Sequence, residues 1–281
     1  MSERRDPTMD ELRQVTVAGA SDEAVVVGGM AVSILANAYG LESEEPCLTV
    51  DGDFFGDRLA LERAAEQIRS AGMQVRMFVS TLDDQNTPNS GKLAIDVAPD
   101  AKPVEVDFLF RLDGLSADDI EDRAVQVTFS GRSIKVIHPL LLLENKINNL
   151  ALYPPKRGPA GVNQARISIE IAKAHLNQLA GISDSRRALL RSVERIGRFA
   201  RREAACFALR AFGLDVLACV PFARVPEPEF TQRRWPQIIE EARKRRMRFN
   251  EMWDRIPDPT ASRFKVEEAS GAVLDIHPGP T

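Results

Sequence analysis

At Pro139 the chain changes its periodicity, and that change limits the folds open to it more than any other feature. Before the proline, short apolar runs at 24–27, 48–55, 75–79, 93–97, 104–110, 125–129 and 134–137 read as strands. Between them lie amphipathic stretches at 30–38 and 58–71, the second ended by Gly72, and a short capped helix at 114–124 with Ser116 as N-cap and Asp119 at the third position. After it, helical spacing continues almost without interruption. A proline suits the first turn of a helix, so HPLLLLENKINNLALY is predicted to be one of about four turns. Breaks fall at 153–161, at 181–184, at Gly213 and at 220–230, and a last helix runs from Trp235. The predicted fold class is α/β of the α+β kind, a mixed sheet with antiparallel edges followed by a helical domain. The expected boundaries are 1–138, 139–256 and a loosely held tail at 257–281.

Charge follows the same division. The chain has 37 basic and 41 acidic residues, but residues 1–160 hold 16 against 26 and residues 161–281 hold 21 against 15. An acidic front half fits acid-borne chemistry, and a basic back half fits a polyanionic partner. Cys47, Cys206 and Cys219 are scattered, as are His138, His175 and His277, so neither a disulfide framework nor a zinc spacing is present. The polar N-terminus lacks the apolar segment of a secretory signal, and the longest aliphatic run, 140–143, is far short of the ~20 residues a membrane span needs. The expectation is a soluble, cytoplasmic protein with no membrane partner.

Within the acidic half, TVDGDFF places Asp51 and Asp53 on one face of a strand, roughly 7 Å apart along the backbone. Like charges that close repel, more so when partly buried, so a cation is expected between them. Ahead of this strand, Gly28 and Gly29 separate a strand from a helix, where backbone N–H groups can approach a phosphate. A third acid, Asp107, sits in VEVDFLF, with Glu105 on the same face and Asp96 of LAIDV as a rival. Taken singly, a glycine pair is an ordinary turn and Asp-x-Asp a solvated strand end. In this order they describe a site where acids hold Mg²⁺ and a glycine turn holds a triphosphate.

These motifs resemble the nucleotidyltransferases of the DNA polymerase beta superfamily, in particular the AbiEii/AbiGii-like toxin group. VGG at 27–29, TVDGD at 49–53, VDF at 106–108 and IHPLLLLENK at 137–146 match that group's motifs in order, over roughly residues 20–175. The resemblance implies a polymerase-beta-like sheet and transfer of a nucleotidyl group from an NTP to an acceptor. It also implies two Mg²⁺ ions on Asp51, Asp53 and Asp107, nucleotide contacts from Gly28, Gly29 and Thr49, and Lys146 on the phosphates. The implied acceptor is a tRNA 3′ end or another RNA, and the implied setting a toxin with an antitoxin partner.

The chain departs from the group at two places. Cys47 stands where the group has an arginine, and QARISIEIAK offers Ser168 and Glu170 but no aspartate for a KDxxD helix. Two other readings therefore stay open: a catalytically impaired nucleotide- or RNA-binding module, and a nucleotidyltransferase acting on small molecules of the antibiotic type. Lys146 has the alternative of a helix-surface lysine. Arg187, Arg191, Arg195, Arg198 and Arg202 recur at helical spacing and are expected to form one stripe, either along an RNA backbone or as a solvated face paired with acids.

Overall fold

The computed structural model describes residues 4–41, 51–80, 88–225, 227–254, 264–267 and 273–276. The chain divides into two compact units, Met1–Leu142 and Leu143–Thr281.

The first unit is a mixed seven-stranded sheet with helices. Its elements run α1 (Met9–Gly19), β1 (Val25–Val27), α2 (Gly28–Ala38), β2 (Asp51–Phe55), α3 (Arg58–Ser70), β3 (Gln74–Val79), β4 (Asn89–Asp96), β5 (Val104–Leu109), α4 (Ala117–Arg123), β6 (Val125–Phe129) and β7 (Arg132–Val136). Strand order is β3-β4-β5-β2-β1-β7-β6. β2 pairs with β5, and β1 with β7, in parallel; the other neighbours are antiparallel.

One face of the central strands is apolar, with Phe54 and Phe108 fully buried and their rings stacked 5.2 Å apart. Helix α3 packs on β3, β4 and β5, and α1 packs on α3, β2 and β5. Alternation then turns the next residues of β2 and β5 to the opposite face, which the acids occupy. At Gly91 the β4–β5 register shifts, and a Cβ there would run into Leu61 of α3 and the Phe78 carbonyl, so only glycine fits the bulge.

Helix α1 lies in what the sequence presents as a polar lead. Thr8 caps it through the Glu11 N–H at 3.2 Å while the Glu11 carboxylate accepts from the Thr8 N–H at 2.7 Å. This is a capping box, readable in Thr8-Met9-Asp10-Glu11. Glu11 also accepts from Arg5, which bonds Asp100 at 3.0 Å and so ties the lead to the β4–β5 connection. The Arg5 bond, then the Thr8 backbone bond, hold the Glu11 carboxyl down to about 2. A depressed carboxyl stabilises the fold above its usual value of 4.5 and loses that contribution as pH falls toward 2. The melting-temperature gap between the protein and Glu11→Gln is therefore expected to be widest at neutral pH and to close between those two values.

The second unit is helical: α6 (Pro159–Ala180), α7 (Arg186–Phe199), α8 (Glu203–Phe212) and α9 (Trp235–Asp254), with α9 preceded by a π-helical turn at Phe230–Arg234. Helix α5 (Pro139–Leu152) enters it from the first unit; its start is capped by His138, whose Nδ1 accepts from the Leu140 N–H at 3.1 Å. Helices α7 and α9 approach closely at Gly197, where a Cβ would strike Ile238. Phe207, Phe249 and Trp253 form an aromatic cluster with centroid spacings of 5.7 and 5.8 Å. Cys206 and Cys219 are buried free thiols, and burial pushes Cys219 up to about 12, which suits packing rather than reactivity.

In the expected tail, β8 (Phe264–Glu267) and β9 (Val273–Ile276) pair as an antiparallel hairpin. No single helix among the described residues is long and apolar enough to cross a membrane; one pair, Glu203–Phe212 with Val216–Arg224, passes the length and composition test only across a 95° bend.

Candidate active site

The sheet register builds the site. Phe78, Lys92, Asp107 and Asp53 stand side by side on β3, β4, β5 and β2, and Val27 follows on β1. The next row on the same face is Arg76, Ala94, Glu105 and Asp51. Neighbouring strands lie about 4.8 Å apart and like-facing residues about 7 Å along the strand, so four carboxylates arise from one small patch of sheet. Asp96, the rival of Asp107, is two residues beyond Ala94 and bonds Arg76 at 3.3 Å.

The glycine bend meets this patch. Val27 is the register partner of Asp53, and the chain turns at Gly28 with φ of +65° to start α2. A Cβ at Gly28 would lie 2.7 Å from Cγ and 2.8 Å from Cβ of Asp53, overlapping its carboxylate. Both the left-handed backbone and the close approach require glycine. Val27, the N-cap of α2, offers no side-chain oxygen to the first-turn N–H groups, so the positive end of the helix faces the acid beside it.

Lys92 supplies a cation that sequence reasoning did not assign. Its Nζ donates to Glu105 at 2.8 Å and stands 3.6 Å from Asp107 Oδ1. That Oδ1 is buried and has no hydrogen bond. Burial pushes the Asp107 carboxyl above its usual range, Lys92 opposes the rise, and Asp51 and Glu105 add to it. Strand β4 begins at Asn89, four residues before the predicted start at Leu93. The signal was available: Lys92, Ala94 and Asp96 alternate with Leu93 and Ile95, an in–out pattern that continues backwards through Lys92.

Lys146 belongs to the second unit, where it is 7% exposed and donates to Gln164 Oε1 of α6 at 2.7 Å. The reading of Lys146 as a helix-surface lysine is thereby corrected, since Leu140 to Asn148 are all buried. Thr49 and Cys47 lie outside the described residues. The arginine stripe is also corrected. Arg195 turns inward to a two-pronged ion pair with buried Glu144, Nη2 to Oε2 at 3.0 Å, while Arg202 lies past the end of α7. Arg187, Arg191 and Arg198 stay exposed on α7.

No protein-family model and no curated protein matches the chain. Among solved structures it is similar to an antigenic nucleotidyltransferase-like protein from Paracoccidioides brasiliensis, with 16% identity and a TM-score of 0.40 over 65% of this chain and 93% of that one.

Asp51, Asp53 and Asp107 provide hard oxygen donors of the type Mg²⁺ takes. An unbonded buried oxygen on Asp107 fits a site that receives a ligand. Among the described residues, however, no three His, Cys, Asp or Glu side chains close around one metal-sized point. Of the three aspartates, Asp107 has the Lys92 ammonium beside it in this conformation.

Proposed function

We propose that this protein is a Mg²⁺-dependent nucleotidyltransferase of the AbiEii/AbiGii-like kind, moving an NMP group from an NTP to an RNA acceptor. The observation that carries the reading is the alignment of Asp53 with Asp107 on parallel neighbours, with the Gly28 bend packed on Asp53. Divalent ions held by Asp51, Asp53 and Asp107 would neutralise the triphosphate and acidify the attacking hydroxyl. The chain's own groups do the rest. Backbone N–H groups at Gly28 and Gly29, at the positive end of α2, bind and orient the phosphates. Asp107, side by side with Asp53 in the sheet, accepts the proton of the acceptor hydroxyl in this reading. The hydroxyl oxygen then bonds the α-phosphorus while the α–β bridge breaks and pyrophosphate leaves.

Incubation with each α-³²P-labelled NTP, Mg²⁺ and bulk RNA tests this directly, with Asp51→Ala as control. Label is expected in RNA with the native chain and reduced by about 10²–10³-fold in the variant, as when a group acting on transition-state charge is removed. Absence of label in every acceptor pool, despite nucleotide binding, would instead favour the binding module, a reading that the Lys92 ammonium among the acids supports.

The RNA assignment has its own test. Exposed Arg187, Arg191 and Arg198 on α7 are phosphate contacts in this reading, so replacing all three with alanine should lower the slope of log affinity against log salt for tRNA by roughly 3. An unchanged slope removes α7 from the interface.

A further inference from the structure

We propose that Lys92 is the resident counter-ion of the carboxylate patch and sets the affinity at which a divalent cation enters it. This rests on the metal-dependent reading above and extends it to a residue which that reading does not use. The sheet register puts Lys92 beside Asp107, and Asp107 beside Asp53, with Glu105 and Asp51 in the adjoining row. The ammonium touches Glu105 and stands 3.6 Å from the oxygen of Asp107 that is buried without a hydrogen bond.

Like charges this close on one face of a sheet repel, and the Lys92 ammonium stands against two of the four carboxylates, Glu105 and Asp107. A divalent ion arriving at Asp107 meets that ammonium at close range, so like-charge repulsion raises the concentration at which it binds. The lysine stem is long and its head is already bonded to Glu105, so it can yield the Asp107 side without leaving the patch.

The test is Mn²⁺ binding to the full chain without nucleotide, followed by the electron paramagnetic resonance of free Mn²⁺. The native chain, Lys92→Met, Lys92→Gln and Lys92→Arg are compared, with Asp53→Asn added to Lys92→Met to locate the ion. Neutral variants are expected to bind about tenfold tighter, the scale on which one unit charge a few ångströms from a divalent ion acts in a partly solvated site. Lys92→Arg is expected within about twofold of the native chain, and Asp53→Asn to abolish the gain. Lys92 is partly exposed, so the variants should fold; circular dichroism melts check this, and either neutral variant suffices.

If the native chain binds Mn²⁺ and both neutral variants bind it equally or more weakly, the counter-ion role is overturned while the proposed function stands. If only the neutral variants bind, the role of Lys92 is upheld and the native chain is the binding module. If none binds, the counter-ion role falls, while the proposed function is decided by the labelling experiment, in which the NTP phosphates complete the metal's ligands.

Discussion

Gly28→Ala should cost the protein both stability and nucleotidyl transfer. The left-handed backbone at φ +65° penalises an L-side chain by about 1–2 kcal/mol. The added methyl also overlaps the Asp53 carboxylate, and forced overpacking of this kind adds about 1–3 kcal/mol. Asp53 or the bend must move, and either displacement separates the bend from the acid row, so the proposed transfer should fall by at least about 10²-fold. The decisive arm is a double variant. Asp53→Gly removes the overlapping atoms, so adding it to Gly28→Ala should recover much of the lost melting temperature and none of the activity, a non-additive result expected only of residues in contact. A Gly28→Ala protein with native melting and native transfer would refute the close approach of bend and acid.

In the second unit the largest expected effect is at Glu144. Its side chain is 5% exposed and its charge is met by Arg195, itself 19% exposed. Removing one member of a buried ion pair strands the other, which costs about 3–5 kcal/mol, whereas replacing both by apolar residues of similar volume is near neutral. Glu144→Ala is accordingly expected to unfold this unit at clearly lower urea, and Glu144→Leu with Arg195→Met to restore the midpoint. Both tryptophans, Trp235 and Trp253, lie in this unit, so their fluorescence follows its unfolding selectively. Equal midpoints for native and Glu144→Ala chains would show that the pair is solvated.

Much of this architecture was legible in the sequence because it rests on local signals. The strands of the first unit, the glycine break, the Ser116 cap and the proline-led α5 each follow from period, turn residue or cap chemistry, and the structure has all of them. What escaped depends on pairing between distant segments. The APDAKP connection reads as a hairpin between 93–97 and 104–110, but not its register, which with the shift near Gly91 sets Lys92 beside Asp107. For Arg195, helical spacing predicts a shared stripe but not which side of α7 meets a buried glutamate. Helix α1 was missed for a different reason: its capping box was present, but a weakly apolar segment behind Arg4 and Arg5 resembles a solvated lead. The cation expected between Asp51 and Asp53 is a different matter from the lysine that the register brings in, which stands against Glu105 and Asp107 instead.

The parallel pairing of β2 with β5 bears on how such a chain can vary. Asp53 and Asp107 are strand neighbours although α3, β3 and β4 intervene in the chain, so lengthening the connections among those elements leaves the two acids side by side. Deleting a single residue between the start of β5 and Asp107 would instead send that carboxylate into the layer of Phe54 and bring an apolar side chain out in its place. Tolerance to insertion and intolerance to slippage thus coexist within one segment, and a deletion scan across residues 97–107 should show an abrupt transition where β5 begins.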